Sequence, residues 1–311
     1  MTDFSSAADL AVVIPVHNGR AHTARCLDEL RHLDGPERMV IVVDDGSSDG
    51  TSACLRESYP DVHVLPGSGN LWWSGAVNVG CRFAIDHGVS RLVLLNNDNL
   101  AVSSNLFVEL IRLLDTHGGV ASAVIVEDRP LGRREIYAAG GTLRWPARGI
   151  ELRHCGVEYR ERDEDVECDW LLGAAVAFDS NVFTELSGFS SRAFPQYRGD
   201  VDFTARAREM GHKCVVTFRA WVLTDKTTTW MNFRRRLTYR EFLLGFVSLR
   251  SAYNLRETIL FAVRHCPRRW LIPYLGQFYL RYAYAFWKTR HRLPGDQPVP
   301  QCQSSQGGDF S

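Results

Sequence analysis

The eight cysteines of this 311-residue chain include no C-x-x-C pair, which argues against a zinc ribbon and against a disulfide-stapled scaffold. Scattered thiols of this kind fit a reducing cytoplasm. No run of about 20 predominantly apolar residues occurs, so no spanning helix is expected. The nearest stretch, Trp270 to Trp287, is interrupted by Pro273, Gly276, Gln277 and Arg281. The opening MTDFSSAADL lacks the basic start and apolar core of a secretory signal, and the expectation is a cytoplasmic protein. Net charge is absent as well, but the zero hides an asymmetry. Residues 233–292 hold 13 Lys/Arg against Glu241 and Glu257, a local balance of +11 that leaves −11 for the rest. No nucleic-acid-binding motif accompanies that basic segment, and aromatic and aliphatic residues interleave its charges. An anionic membrane surface is therefore the expected partner there, and nucleic acid is not.

What is present is an ordinary globular composition, 45% hydrophobic and 23% charged, with strand and helix signals alternating through the first half. Leu10 to Val16, Val40 to Val43, Val62 to Leu65 and Leu92 to Leu95 are short apolar runs bounded by polar residues, as buried strands are. Between them, helical spacing is read from about Ala21 to Leu33, Thr51 to Ser58 and Gly75 to His87. Such alternation predicts βαβ units and an α/β fold with a mostly parallel sheet and flanking helices. From about 130 to 168 the chain turns polar and reads as hairpins and loops of the same domain. Apolar order returns at Trp170 to Phe178, and helices are expected near Asn181 to Leu186 and Val201 to Met210. A boundary is read near 230, with a basic, aromatic helical extension over 231–293 and a disordered tail over 294–311.

Three strand ends carry polar clusters: Pro15-Val16-His17-Asn18, Asp44-Asp45-Gly46-Ser47 and Asn96-Asn97-Asp98. One such cluster makes a turn, whereas three at the same sheet edge predict a shared ligand crevice. Adjacent Asp44 and Asp45 repel each other, so a site that keeps both gains something, most simply a hydrogen bond to a ligand N–H or ribose hydroxyl. Ser48 or Asp49 equally suits an N-cap for the helix from Thr51. The stretch Gly67 to Gly80 fails the G-x-G-x-x-G pattern, since Trp72 stands where its third glycine belongs. It still reads as a small-residue loop entering a helix N-terminus able to receive a phosphate. Trp72 and Trp73 either stack on a base or sugar or pack inside. In Tyr197-Arg198-Gly199-Asp200-Val201-Asp202-Phe203, Asp200 and Asp202 precede a helix, and each is either an N-cap or a general base for an acceptor hydroxyl.

PVHN, VVDDGSSDGT, GNLWWSGAVNVG, LLNNDN, DWLLGAAVAF and YRGDVDF follow one another in an order and spacing that resembles family 2 glycosyltransferases of the GT-A fold. The rhamnosyltransferase-like bacterial branch is the most similar, and the resemblance covers roughly residues 10–229. It implies a Rossmann-like domain over 1–230 in which Pro15, His17, Asn18, Asp44, Asp45, Asn70, Trp73, Gly75, Asn78 and Asn97 hold a nucleotide-sugar donor. Asp98 matches the metal-binding acid for Mn²⁺ or Mg²⁺, and Asp200 matches the base of these inverting enzymes. Asp169, Trp170, Gly173 and Asp202 are expected to shape the sugar and acceptor pocket. The chain departs from the family pattern at three places. Asn96 replaces the first acid of D-x-D, Gly199 replaces a Glu, and Asp225 stands where a late His is usual, either as a further metal ligand or as a partner for Lys226.

The activity so implied is inverting, metal-dependent transfer from a dTDP-, UDP- or GDP-linked sugar to a hydroxyl of a glycan or lipid-linked acceptor. Peripheral contact with the inner face of a membrane and a homodimer are both compatible with the basic aromatic helices. Two rivals stay open. A sugar-1-phosphate nucleotidyltransferase would need a glycine-rich basic loop after the first strand, which PVHNGR does not supply. A catalytically inactive carbohydrate- or nucleotide-binding module would bind a sugar nucleotide without releasing nucleoside diphosphate.

Overall fold

A computed structural model describes residues 9–145, 149–224 and 237–291. The boundary expected near 230, Asp225 and the tail expected from 294 lie outside the described residues. The first half alternates as its apolar runs predict: β1 (Leu10–Val16), α1 (Arg20–Leu30), β2 (Arg38–Asp44), α2 (Thr51–Ser58), β3 (His63–Pro66), α3 (Trp72–Asp86) and β4 (Arg91–Leu95). These four strands are parallel in the order β3-β2-β1-β4, with Val12 level with Val40 on one side and Val93 on the other. All seven residues of β1 are buried, as expected of a central strand covered on both faces. Building outward from β1 in both directions leaves a switch point between β1 and β4, and in such sheets the ligand crevice opens there, beyond the carboxyl ends of the strands.

The sheet then continues past β4, with elements over 99–129 and 214–224 that the sequence reading leaves unnamed. β5 (Asn99–Val102), α4 (Leu106–His117) and β6 (Val120–Arg129) are followed by the hairpin region: β7 (Arg133–Ala138), β8 (Gly141–Arg144), β9 (Gly149–Leu152) and β10 (Asp165–Glu167). β11 (Ala175–Asp179), α5 (Ser180–Glu185), α6 (Gly199–Glu209) and β12 (Cys214–Thr224) complete the sandwich. The full order is β10-β12-β6-β11-β4-β1-β2-β3, with β5 added to β12 and β7 to β6. β11 runs antiparallel between β4 and β6, pairing Ala177 with Val93 and Ala121.

Side chains alternate across this sheet into two cores. Val13, Ile41, Val43 and Leu94 meet α3, α5 and α6, where Phe189 stacks on Phe203 at 4.1 Å. Val12, Ile14, Val42 and Val93 meet α1, α2 and α4 through Leu27, Leu30, Leu55, Phe107 and Leu110. Each such fully buried side chain contributes about 1.5–3 kcal/mol of transfer free energy. Gly80 lets α3 lie directly on β1, since a Cβ there would come within 2.4 Å of Val13.

The basic C-terminal region forms α7 (Tyr239–Leu244), α8 (Leu255–His265) and α9 (Leu271–Arg290). α7 begins at a capping box in which Thr238 and Glu241 exchange hydrogen bonds. α8 sets Phe261 against Phe194, and α9 sets Tyr274 edge-on against Trp145 at 4.7 Å. α9 is continuous because Pro273 falls in its first turn, where a missing N–H is tolerated. Among the described residues, no helix is long and apolar enough to cross a membrane. Of the aromatic set over 270–287, Tyr274, Tyr282 and Phe286 face inward, whereas Tyr284 and Trp287 are exposed.

Candidate active site

The site grows from the ends of β1, β2 and β4. His17 follows β1, and its Nδ1 lies 2.7 Å from the carbonyl of Asp45. A carbonyl only accepts, so Nδ1 carries the proton, and Nε2 is left to accept from the Asn18 amide at 3.0 Å. Asn18 takes a left-handed φ of 51°, its N–H donates to Ser47 Oγ at 2.8 Å, and its side-chain oxygen accepts the N–H of Ser48 at 2.8 Å. The first two polar loops are thus pinned to each other.

The paired carboxylates after β2 diverge, and each is satisfied. Asp44, buried, accepts the N–H of Ser47 at 3.0 Å and the hydroxyl of Ser52. Asp45 accepts the N–H groups of Gly69 (2.7 Å), Leu71 (2.9 Å) and Trp72 (3.0 Å). Trp73 N–H donates to Gln196 and Ser74 N–H to the carbonyl of Pro195. The N-terminus of α3, expected to receive a phosphate, is therefore already occupied by Asp45, Gln196 and Pro195, so its donors and dipole serve the fold.

At the end of β4, Asn96 Oδ1 accepts the Trp73 indole N–H at 2.8 Å, and the Asn97 amide donates to Thr23 Oγ at 3.2 Å. Asp98 is half-buried beside them. Its charge is felt by Cys26, whose thiol is pushed up to about 12, first by burial and then by Asp98 and Glu29. These elements enclose a cavity of about 630 Å³, within the usual range of about 300–1,000 Å³ for ligand sites. Pro15, His17, Asn18, Asp45, Trp73, Asn97 and Asp98 line it, all named from the sequence. Trp72 and Asn96 line it too, as do Val16, Gly69, Ala76, Gln196, Tyr197 and Arg250. Arg250 comes from the turn between α7 and α8, so the C-terminal helices contribute a cation to the lining that also holds Asp98. Trp72, at φ 57°, is a bulky residue in left-handed backbone, a conformation that costs about 1–3 kcal/mol and concentrates at functional sites.

The remaining sequence-named residues lie off the lining. Asp200, at the start of α6, accepts the N–H groups of Gly173 (2.9 Å) and Val201 (2.8 Å). Gly173 ties it to the cavity wall, since a Cβ there would come within 2.5 Å of Trp73 and 3.2 Å of the Asp200 Cβ. Gly199 has a steric reason as well, because a Cβ would fall 2.1 Å from Ser74 Oγ, which leaves no room for the Glu of the family pattern. Asn70 is exposed outside the lining, and Gly75 packs under Leu71.

Four other side chains are engaged in the fold. Asn78 is buried and exchanges both amide hydrogen bonds with the backbone of Phe189, at 2.8 Å each. Asp169 accepts the N–H of Leu143 at 2.8 Å and pairs with Arg208 at 3.2 Å. Trp170 is core, its indole donating to the carbonyl of Thr142. Asp202 is fully buried, receiving Arg206 (2.9 Å), Arg264 (2.6 Å), His265 (3.1 Å) and the Ser190 hydroxyl (3.0 Å). Burial alone would raise its carboxyl, but His265, Arg206 and Arg264 more than offset this and hold it at about 2.

With this geometry in hand, comparison with known proteins is informative. Residues 11–156 match the model of glycosyl transferase family 2. The polyprenol monophosphomannose synthase of Mycolicibacterium smegmatis is 34% identical over 255 residues, covering 80% of this chain and 83% of that protein. The N-acetylglucosaminyl-diphospho-decaprenol L-rhamnosyltransferase of Mycobacterium tuberculosis is 27% identical, covering 70% of this chain and 76% of its own. A solved mannosyltransferase of Pyrobaculum calidifontis, in complex with GDP-Man and Mn²⁺, shares the fold at a TM-score of 0.55 and 16% identity, over 92% of this chain and 74% of that one. The strand order, the crevice beyond β1 and β4 and the identity to these relatives agree, and the chain belongs to the family 2 glycosyltransferases of the GT-A type.

Proposed function

We propose that the protein transfers a sugar, with inversion at the anomeric carbon, from a dTDP-, UDP- or GDP-sugar to a hydroxyl of a glycan or lipid-linked acceptor. The observation that carries this reading is the cavity at the switch point, whose lining brings together the carboxylates Asp45 and Asp98 and the cation Arg250. In this reading His17, Asn18 and Asp45 receive the nucleoside, Arg250 neutralises the diphosphate, and Trp73, Gln196 and Tyr197 contact the sugar. Asp200 takes the proton from the acceptor hydroxyl, a role typically worth about a hundred- to ten-thousand-fold in rate.

The donor set suits a hard divalent cation. Asp98 and the neighbouring carboxamides offer oxygen only, and no group of three His, Cys, Asp or Glu side chains converges among the described residues. That fits Mg²⁺ or Mn²⁺, which keep several waters and bind through one or two carboxylates plus phosphate oxygens. When bound, the ion would supply Lewis-acid stabilisation of the departing diphosphate.

The lipid-linked acceptor is supported by the names of the relatives and by one surface. Leu243, Val247, Val263, Ile272, Leu280 and Trp287 are exposed on α7, the turn after it, α8 and α9, among basic side chains. Exposed apolar side chains in a segment rich in Lys and Arg suit peripheral docking on the anionic inner face of a membrane. Thermal unfolding with a panel of sugar nucleotides, with and without Mn²⁺, tests the donor reading. A cognate donor at a hundred times its dissociation constant adds about 2.7 kcal/mol. Stabilisation without any release of nucleoside diphosphate would instead identify a binding module.

A further inference from the structure

Behind the Tyr197 wall of the cavity, buried polar atoms from three elements lie without hydrogen-bond partners. Glu257 of α8 is fully buried, and neither of its carboxylate oxygens accepts a hydrogen bond among the described residues. Arg198, just ahead of α6, is 8% exposed, yet among the described residues its Nε and Nη1 find no hydrogen-bond partner, and neither does the hydroxyl of Tyr274 on α9. Each such group costs about 1–3 kcal/mol, and more when charged. Arg198 also occupies left-handed backbone at φ 61° as the N-cap of α6, a conformation that a bulky side chain adopts only when its surroundings impose it. It stands between Tyr197, which lines the cavity, and Asp200, two residues on.

The groups acting on Glu257 are Arg198 from that turn and Arg256 from its own helix; Tyr197 lies within reach as well. Around Arg198 lie Tyr253 and Arg281, Tyr274 and Tyr279, with Tyr137 of β7 bordering Tyr197. Burial pushes the phenols of Tyr197, Tyr253, Tyr274 and Tyr279 up, away from neutrality, and arginine stays charged. Burial also drives Glu257 up, to about 7, against the pull of Arg198 and Arg256. Glu257 is therefore neutral in mild acid and anionic in mild base, and only the anion draws strongly on Arg198.

We propose that Glu257 is a positioning residue, whose carboxylate acts through Arg198 to hold the strained turn that joins Tyr197 of the cavity lining to Asp200 at the start of α6, coupling the charge state of α8 to transfer. The step from that turn to catalysis rests on the reading of Asp200 as base. The test uses the full chain and two resonances, the δ-carbon of Glu257 and the indole N–H of Trp73, which shares Gly173 with Asp200. In the wild type both should titrate together near neutrality, and midpoints more than about one pH unit apart would overturn the coupling. In Glu257→Gln the Trp73 resonance should no longer move with pH. Glutamine copies the neutral form that burial favours, so this variant keeps the packing. A Trp73 titration that persists unchanged in the variant, driven by His17 or another group, likewise overturns the proposal. Turnover of GDP-mannose, UDP-N-acetylglucosamine or dTDP-rhamnose, whichever is accepted, should show kcat rising through neutrality in the wild type. In Glu257→Gln that rise should be gone and kcat lower by about tenfold, with KM for the donor little changed. An Asp200→Asn protein that keeps wild-type turnover removes the base reading and leaves the co-titration standing.

Discussion

Replacing Asp202 by asparagine should destabilise the protein without touching the cavity. The carboxylate is fully buried and receives Arg206 from its own helix and Arg264 and His265 from α8, so the variant leaves the Arg206 and Arg264 guanidinium groups without their anion. Removing one partner of such a buried pair costs about 3–5 kcal/mol, a large share of the roughly 5–15 kcal/mol available to a folded protein. Part of this cost follows pH with a definite sign. The carboxyl lies at about 2 rather than 3.8, so its contribution is fully present above 3.8 and is lost as pH falls through about 2. At about 1.4 kcal/mol per pH unit, that share is roughly 2.5 kcal/mol. Urea unfolding of the wild type and the Asp202→Asn variant, from about pH 7 to about pH 2.5, should show a gap that narrows by roughly 1.6 kcal/mol, about two thirds of that share, because pH 2.5 still lies above the folded-state value. Donor affinity of the folded variant should match the wild type. A gap below about 1 kcal/mol at neutral pH, or one that stays constant into acid, would refute the assignment of this cluster as the clamp between α6 and α8.

Asp98→Asn should weaken donor binding in Mn²⁺ by at least about tenfold, some 1.4 kcal/mol by calorimetry, with little effect when the metal is chelated. Asp200→Asn should leave donor binding intact while kcat falls by about a hundredfold or more; wild-type turnover in that variant ends its role as base. Glu257→Gln should stabilise the fold above about pH 7 by up to about 3 kcal/mol, because a carboxyl raised from 4.5 to about 7 penalises folding as pH rises between those values. Ile272→Glu with Leu280→Glu should abolish salt-sensitive flotation with anionic vesicles, since both side chains are largely exposed; unchanged flotation would move the docking surface elsewhere.

The strands and helices up to residue 95 were legible because each strand is buried on both faces. A continuous β-branched run such as Val40 to Val43 has no other common explanation once polar clusters bound it. β11 was legible as an apolar stretch, but not as an antiparallel strand wedged between β4 and β6, because apolar content carries no information about neighbour or direction. α4 carried a readable signal, Leu106, Phe107, Leu110, Leu113 and Leu114 on one buried face, that the strand-end motifs drew attention away from. Asn78 and Asp202 sit inside motif-like stretches, but their partners lie 111 and 62 residues away. A local pattern cannot show that such polar groups are already consumed. Arg250 and Glu257 were invisible for the converse reason. Their segment reads as a basic extension, and only its packing on the rest of the chain brings Arg250 to the cavity lining and Glu257 close to Arg198.

The strand-end clusters show what the polar residues of a binding crevice are for. His17, Asn18, Asp44 and Asp45 spend most of their hydrogen-bonding capacity on one another's loops and on the start of α3. Sequence reasoning assigned them to the ligand because polar side chains at a sheet edge need partners, which is correct as far as it goes. Here the partners are mainly backbone N–H groups of neighbouring loops, and the gain is rigidity. A loop already fixed by its own hydrogen bonds loses little conformational freedom when a nucleotide arrives, so more of the contact energy remains as affinity. The strained backbone at Asn18 and Trp72 is tolerated in the same framework, since Ser47 and Ser48 bond the first and Asp45 the second. In the proposed reading, direct chemistry falls to side chains that line the cavity, Asp98 and Arg250 at the diphosphate and Trp73 and Tyr197 at the sugar. Asp200 is reached through the single glycine that lets Trp73 and α6 approach each other.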